Sequence, residues 1–124
     1  MNQRYTLLCG AALGLSAVAI GGFGAHALTE ALVASGRLET YELAVQYQFY
    51  HALAMLFVGS IMTQYAVGLL RYAALAFLVG TLLFSGSLYV LSFTGLGVLG
   101  AITPLGGVLF LLGWGLVFAG IYKR

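Results

Sequence analysis

Few residues in this chain are equipped for chemistry: two histidines, His26 and His51, three glutamates, Glu30, Glu39 and Glu42, and a single cysteine, Cys9. His26 and Glu30 are four residues apart, so a helix continuing past His26 would set them on one face, a spacing that permits an ion pair or shared metal ligation. Glu42 and His51, nine apart, point to opposite sides of one helix and form no site alone. His51 instead shares its face with Ala44, Tyr47, Gln48, Met55 and Val58. A metal or bis-histidine haem site requires His26 and His51 to converge across two helices, and neither CxxCH nor HExxH is present. The leading expectation for both is interhelical hydrogen bonding, with metal or haem binding and proton or solute handling as alternatives. The residues do not decide whether a metal binds, and no cofactor is expected. The glutamates have no buried setting that would tune them as acid and base, so no catalytic residue is expected. Gly95-Leu-Gly-Val-Leu-Gly100 matches a dinucleotide fingerprint by letter, but no strand precedes it and no acidic residue follows.

The chain around these residues is apolar. Of 124 residues, 62% are hydrophobic and 6% charged, against about a quarter charged in soluble domains. This is the composition of a membrane protein, with the lipid bilayer as its first partner. Its scattered basic residues form no patch for nucleic acid. Cys9 lies inside an apolar run, excludes an intramolecular disulfide and reads as a packing or lipid-facing thiol.

Four segments approach the roughly 20 apolar residues of a spanning helix: 5–23, 47–65, 72–93 and 104–122. Alternation is absent, which argues against a barrel. The expected fold is therefore an all-α, integral-membrane four-helix bundle in one domain. Arg4, Arg71 and the Lys123-Arg124 pair fall on one side and Arg37 on the other, so both termini are expected in the cytoplasm and the connection 26–46 outside. Arg4, the following apolar run and Ala25-His-Ala27 mimic a signal peptide, but the long glycine-rich run and the later spans favour an uncleaved first helix. In the outer connection a helical turn is expected over 29–34, a break at Ser35-Gly36, and a helix from Glu39 into the second span. The inner connection is expected over 64–71. Thr103 is expected to cap the last helix, with Pro104 in its first turn.

Small residues mark the helix faces that meet protein. Gly10, Gly14 and Gly21 in the first helix, and Gly106, Gly113 and Gly120 in the last, form stripes that allow close backbone approach. Thr81, Ser85, Tyr89 and Ser92 make a polar stripe on the third that should also face protein.

Gly22-Phe-Gly-Ala-His-Ala-Leu28, Tyr47-Gln-Phe-Tyr-His-Ala-Leu-Ala54, Leu83-Phe-Ser-Gly-Ser-Leu-Tyr89 and Thr103-Pro-Leu-Gly-Gly107, with Gly113-Trp114, together resemble the YgdD-type family of small inner-membrane proteins. That family is catalogued as a domain of unknown function and is similar to a small transmembrane protein of animal mitochondria. The resemblance covers essentially the whole chain and implies a four-span protein of the bacterial inner membrane. It transfers no activity and no site residue. With the expected topology, the four signatures gather outside, giving a candidate polar cluster of His26, His51, Ser85, Ser87, Tyr89 and Thr103, beside Glu30. The leading functional expectation is a non-enzymatic accessory or scaffold subunit in a homo-oligomer or larger membrane complex, its glycine-lined faces turned to its partners. An oligomeric transporter or channel for a small solute, proton or metal ion, with that cluster as its mouth, is the alternative. A haem or quinone redox protein is a third.

Overall fold

A computed structural model describes residues 1–123; Arg124, half of the expected terminal basic pair, lies outside them. The described chain is helical from end to end: α1 Gln3–His26, α2 Thr29–Ser35, α3 Leu38–Ile61, α4 Val67–Thr94, a 3-10 turn Gly97–Ala101, and α5 Thr103–Lys123. Local chemistry accounts for the boundaries. The Asn2 side chain accepts from the Tyr5 amide at 2.8 Å and starts α1. Gly36 (φ 73°) and Gly95 (φ 70°) end α2 and α4 in the left-handed conformation that other residues resist.

Two expected boundaries are corrected. The second helix ends at Ile61 rather than residue 65, and α4 begins at Val67 rather than Tyr72. The connection between α3 and α4 is thus a tight turn over 62–66, in which the Ala66 amide donates to the Gly120 carbonyl at 3.3 Å. Nothing in Val67-Gly-Leu-Leu-Arg71 opposes a helix; Arg71 marks a polar boundary and not a helix end, and its Nε donates to the Met1 carbonyl at 3.2 Å. Thr103 does not cap α5 as expected, because its hydroxyl turns back to the Leu99 carbonyl and to Ser87. Between α1 and α3, the short helix Thr29–Ser35, the break at Gly36 and the start of α3 at Leu38 lie close to where they are expected.

The long helices run antiparallel in sequence, with α1 packed on α3, α3 on α4, and α4 on α5. The core, Met55, Val58, Met62, Leu70, Ala73 and Phe77 with Phe110 and Val117, therefore sits where α3, α4 and α5 meet. Large apolar side chains point outward from the flanking helices, with Leu15 76%, Leu111 75% and Phe118 74% exposed, as suits lipid contact. Three segments are long and apolar enough to cross a membrane: Gln3–His26, Val67–Thr94 and Gly97–Lys123. The exception is α3, of 24 residues, whose apolarity is diluted by Glu39, Glu42, Gln46, Gln48 and His51.

The expected glycine stripes do meet protein, but within this chain. A Cβ added to Gly106 would stand 2.5 Å from the Phe84 amide nitrogen and 2.7 Å from the Gly80 carbonyl, so α4 and α5 touch backbone to backbone there. One at Gly113 would enter the Phe77 ring at 2.6 Å, and one at Gly120 would meet Leu70 at 3.0 Å. On α1, Gly10 faces the Ala52 carbonyl (3.1 Å) and Gly21 faces Val45 (3.0 Å), while Gly14 has ordinary clearance (3.8 Å). These faces are occupied, which removes the sequence-based reason for assigning them to copies or partners.

Candidate functional site

The side chains expected at the outer end do not form one cluster. They divide into a histidine–aromatic contact, a three-helix hydrogen-bond relay, two small hydroxyl links and an exposed terminal group.

His51 sits near the middle of α3. Because α3 begins at Leu38, His51 lies about 20 Å along it at 1.5 Å per residue. Its Nδ1 is 2.9 Å from the Tyr47 carbonyl one turn earlier. A carbonyl only accepts, so Nδ1 carries the proton and Nε2 presents a lone pair. That lone pair accepts the Trp114 indole N–H at 3.2 Å. The Phe110 ring stacks on the imidazole with centroids 3.6 Å apart and planes 7° apart, and Phe77 closes a further side at 5.4 Å. With both nitrogens engaged and the ring 4% exposed, His51 joins α3 to α5.

One turn earlier on the same face, Gln48 is the hub of a relay. Tyr89 in α4 donates its hydroxyl proton to Gln48 Oε1 at 2.6 Å. Gln48 Nε2 donates to the Leu13 carbonyl (2.9 Å) and to Ser16 Oγ (2.7 Å) in α1. Ser16 in turn donates to the Ala12 carbonyl at 2.9 Å. Three helices are thereby tied through one amide, which uses its oxygen once and its nitrogen twice. In this apolar setting an unmade bond finds no water in exchange.

The remaining hydroxyls act locally. Ser85 donates to the Ala44 carbonyl across the α3–α4 contact at 2.7 Å, and Ser87 pairs with Thr103 at 2.6 Å between α4 and α5. Thr81 and Ser92 return to carbonyls of their own helix, at Phe77 and Leu88. The polar stripe of α4 faces protein as expected, and no buried polar side-chain atom among the described residues lacks a partner.

His26 and Glu30 stand apart from all of this. α1 ends at His26, and Ala27-Leu28 turn the chain into α2, so the four-residue spacing no longer defines a common face. Both residues are exposed. The level of His51 on α1 is set by its neighbour Ala52, which packs on Gly10 and Gly14. His26 is therefore about 18 Å further along the axis from Gly14. The two histidines do not converge, and among the described residues no three His, Cys, Asp or Glu side chains are grouped to hold a metal. A bis-histidine haem is incompatible with this arrangement.

Sequence reasoning left out the partners that complete these contacts: Gln48 as a hub, Ser16, Trp114 and Tyr41. Gln48 offered a signal, because a glutamine three residues before a histidine in a candidate span had to find partners on the same face. Trp114 offered another, since it lies mid-span and away from the interfacial belt that tryptophan favours. Tyr41 lies over Gly24 and donates to the Ile20 carbonyl at 2.6 Å.

Comparison with known proteins bears on the whole chain. The family described as "Protein of unknown function (DUF423)" matches residues 20–107. The Bacillus subtilis UPF0382 membrane protein YwdK is 40% identical over 122 residues, covering 98% of each chain. The Escherichia coli K12 UPF0382 inner membrane protein YgdD is 40% identical over 126 residues, covering 99% of this chain and 93% of its own. A Staphylococcus saprophyticus UPF0382 membrane protein is 41% identical over 121 residues, covering 98% and 99%. No solved structure matches. The family-wide match and the long apolar helices agree that the chain belongs to this UPF0382 (DUF423) family of membrane proteins, with its place in the inner, cytoplasmic membrane.

Proposed function

We propose that the protein is a non-enzymatic, four-span accessory or scaffold subunit of the membrane, with both termini in the cytoplasm. Its inward-facing interactions are complete. Gln48, His51, Ser85, Tyr89 and Trp114 all have partners inside the chain, and this closure is the observation that carries the reading. Side chains held in this way brace helices against one another and are not themselves poised to bind or transform a substrate.

The fourth span is α3. Its 24 residues reach about 36 Å, enough for a hydrocarbon core of about 30 Å. Gln48 and His51, which lower its apolarity, are turned inward and hydrogen-bonded, so lipid need not meet them. Antiparallel helices then bring Arg4, Arg71 and Lys123 to one end and Arg37 to the other, and the positive-inside rule assigns the first end to the cytoplasm. With the glycine faces occupied internally, a partner would meet the outward apolar faces of α1 and α5.

The test is gentle extraction from native membranes followed by mass measurement of the native particle. Co-migration with a larger assembly, retained after tag exchange between termini, is the expected result. A lone monomer that brings down no stoichiometric partner would count against the proposal. Cysteine accessibility at residues 4 and 37 in intact cells reads the topology separately, with residue 37 alone expected to react from outside.

A further inference from the structure

At the end opposite Arg4, α1, α2 and α3 enclose a cleft of about 550 Å³, a size in the range that holds small molecules. Gly24, Thr29, Tyr41, Glu42 and Gln46 line it. Thr29 is already engaged, since its hydroxyl reaches the Gly24 and Ala25 carbonyls at 2.7 and 2.8 Å. Tyr41 is fixed on the Ile20 carbonyl. Glu42 and Gln46 are different: one turn apart on the same face of α3, both exposed, they take no hydrogen bond or ion pair with any described residue. The basic residue of this end does not serve them, because the Arg37 guanidinium lies against Gly95 at the end of α4.

The cleft does not end at its polar wall. Gly21, Val45 and Gln46 are shared with a second, shallow trough of about 320 Å³ that runs down the membrane-facing side of α1 and α3 over Val18, Phe49 and Tyr50. A carboxylate at the boundary, an amide beside it and an apolar channel beneath make a surface of graded polarity. Its shape and charge suit an amphiphile that is cationic above and acylated below. Glu42 lies about 6 Å along α3 from Leu38, a depth appropriate to a headgroup.

We infer that this groove is a binding site for a phospholipid whose headgroup ends in a primary ammonium: the ammonium meets Glu42 and Gln46, and one acyl chain lies in the trough between α1 and α3. A charge-assisted bond from ammonium to carboxylate gives the preference over anionic headgroups, which Glu42 repels. A quaternary ammonium has no N–H to donate, so it binds less well. In the topology proposed above the site opens into the outer leaflet, but the inference holds whichever leaflet that end occupies and does not depend on an accessory role.

The test uses the full chain in neutral detergent, titrated with dioleoyl phosphatidylethanolamine, phosphatidylcholine or phosphatidylglycerol, with bound lipid counted by native mass spectrometry. One retained phosphatidylethanolamine per protomer is expected, at least tenfold preferred over phosphatidylglycerol. Glu42→Gln should abolish that preference, and Ala25→Trp, which fills the cleft from its exposed rim, should remove the bound lipid while leaving the carboxylate. Both variants are checked for unchanged thermal unfolding. Equal retention of all three lipids, preference for phosphatidylglycerol, or undiminished selectivity in Glu42→Gln would overturn the inference. So would full competition by soluble phosphoethanolamine at concentrations comparable to the lipid, because the trough would then contribute nothing.

Discussion

The two halves of α3 solve the same problem in different ways. From Gln48 to Ile61 the helix turns Gln48 and His51 inward, where Tyr89, Ser16, the Leu13 carbonyl and Trp114 meet them. From Leu38 to Gln46 it carries Glu39, Glu42 and Gln46 outward, and no described side chain meets them. In the topology proposed above, with α3 as a span, depth explains the contrast. Near the bilayer centre an unmade hydrogen bond has no solvent to replace it, so polar residues there must be partnered by protein. At the boundary, water and lipid headgroups fill that role, and the chain can leave groups open. The inner half should therefore respond to substitution through stability, and the outer half through binding.

The largest loss is expected where backbone meets backbone. Gly106→Val places new atoms against the Phe84 amide and the Gly80 carbonyl, neither of which can swing aside, so α4 and α5 must separate. Overpacking of this kind costs about 3 kcal/mol or more, and little folded protein should survive extraction into detergent. A variant as heat-resistant as wild type would show that the α4–α5 contact is looser than the geometry requires.

His51 comes next. His51→Ala removes a ring stacked on Phe110 and leaves the Trp114 indole without its acceptor, for a loss of about 3 kcal/mol, the lower end for truncated buried rings. Trp114→Phe keeps the packing but removes the single bond, and should cost about 1 kcal/mol. Thermal unfolding in detergent orders the two. If Trp114→Phe is as damaging as His51→Ala, the hydrogen bond and not the stacking dominates this contact.

The relay sharpens the comparison further. Gln48→Leu breaks links to α1 and α4 together and should cost about 2 kcal/mol, whereas Tyr89→Phe breaks one and should cost about 0.7 kcal/mol, near the mean for interhelical bonds in membranes. In the double variant the Tyr89 contribution should vanish, because its acceptor is already gone. Additive losses would mean that the Tyr89 hydroxyl stabilises the bundle by a route other than its bond to Gln48.

Much of this was legible from the chain, and the gaps have physical causes. Apolar run length gave the helices, glycine spacing gave the packed faces, and the serine and threonine stripe gave the buried side of α4. The family resemblance also agrees with the comparisons. Membrane depth is harder to read: Glu39 to Gln46 look too polar to belong to a span, and a span beginning at Tyr47 puts His51 one turn inside it. The helix start itself was legible, since α3 begins at Leu38 against an expected Glu39; His51 is then near its middle, while His26 stands at the end of α1. The partners of Gln48 and His51 on other helices are 32 to 63 residues away, and periodicity within one helix does not specify which face of another will meet it. The single outer cluster failed for that reason, since shared sidedness placed its members in one half of the membrane without placing them in contact.

The smallest expected effect on stability falls on the outer half. His26→Ala and Glu42→Gln remove exposed side chains that hold nothing together within the chain, so thermal unfolding should match wild type for both. They should differ in bound lipid, with ammonium selectivity lost in Glu42→Gln and kept in His26→Ala, because His26 ends α1 without lining the cleft. A destabilised Glu42→Gln would place that carboxylate among the structural contacts and erase the division between the two halves of α3. An unchanged melting curve with altered lipid content would establish the division and assign the open half of the helix to recognition.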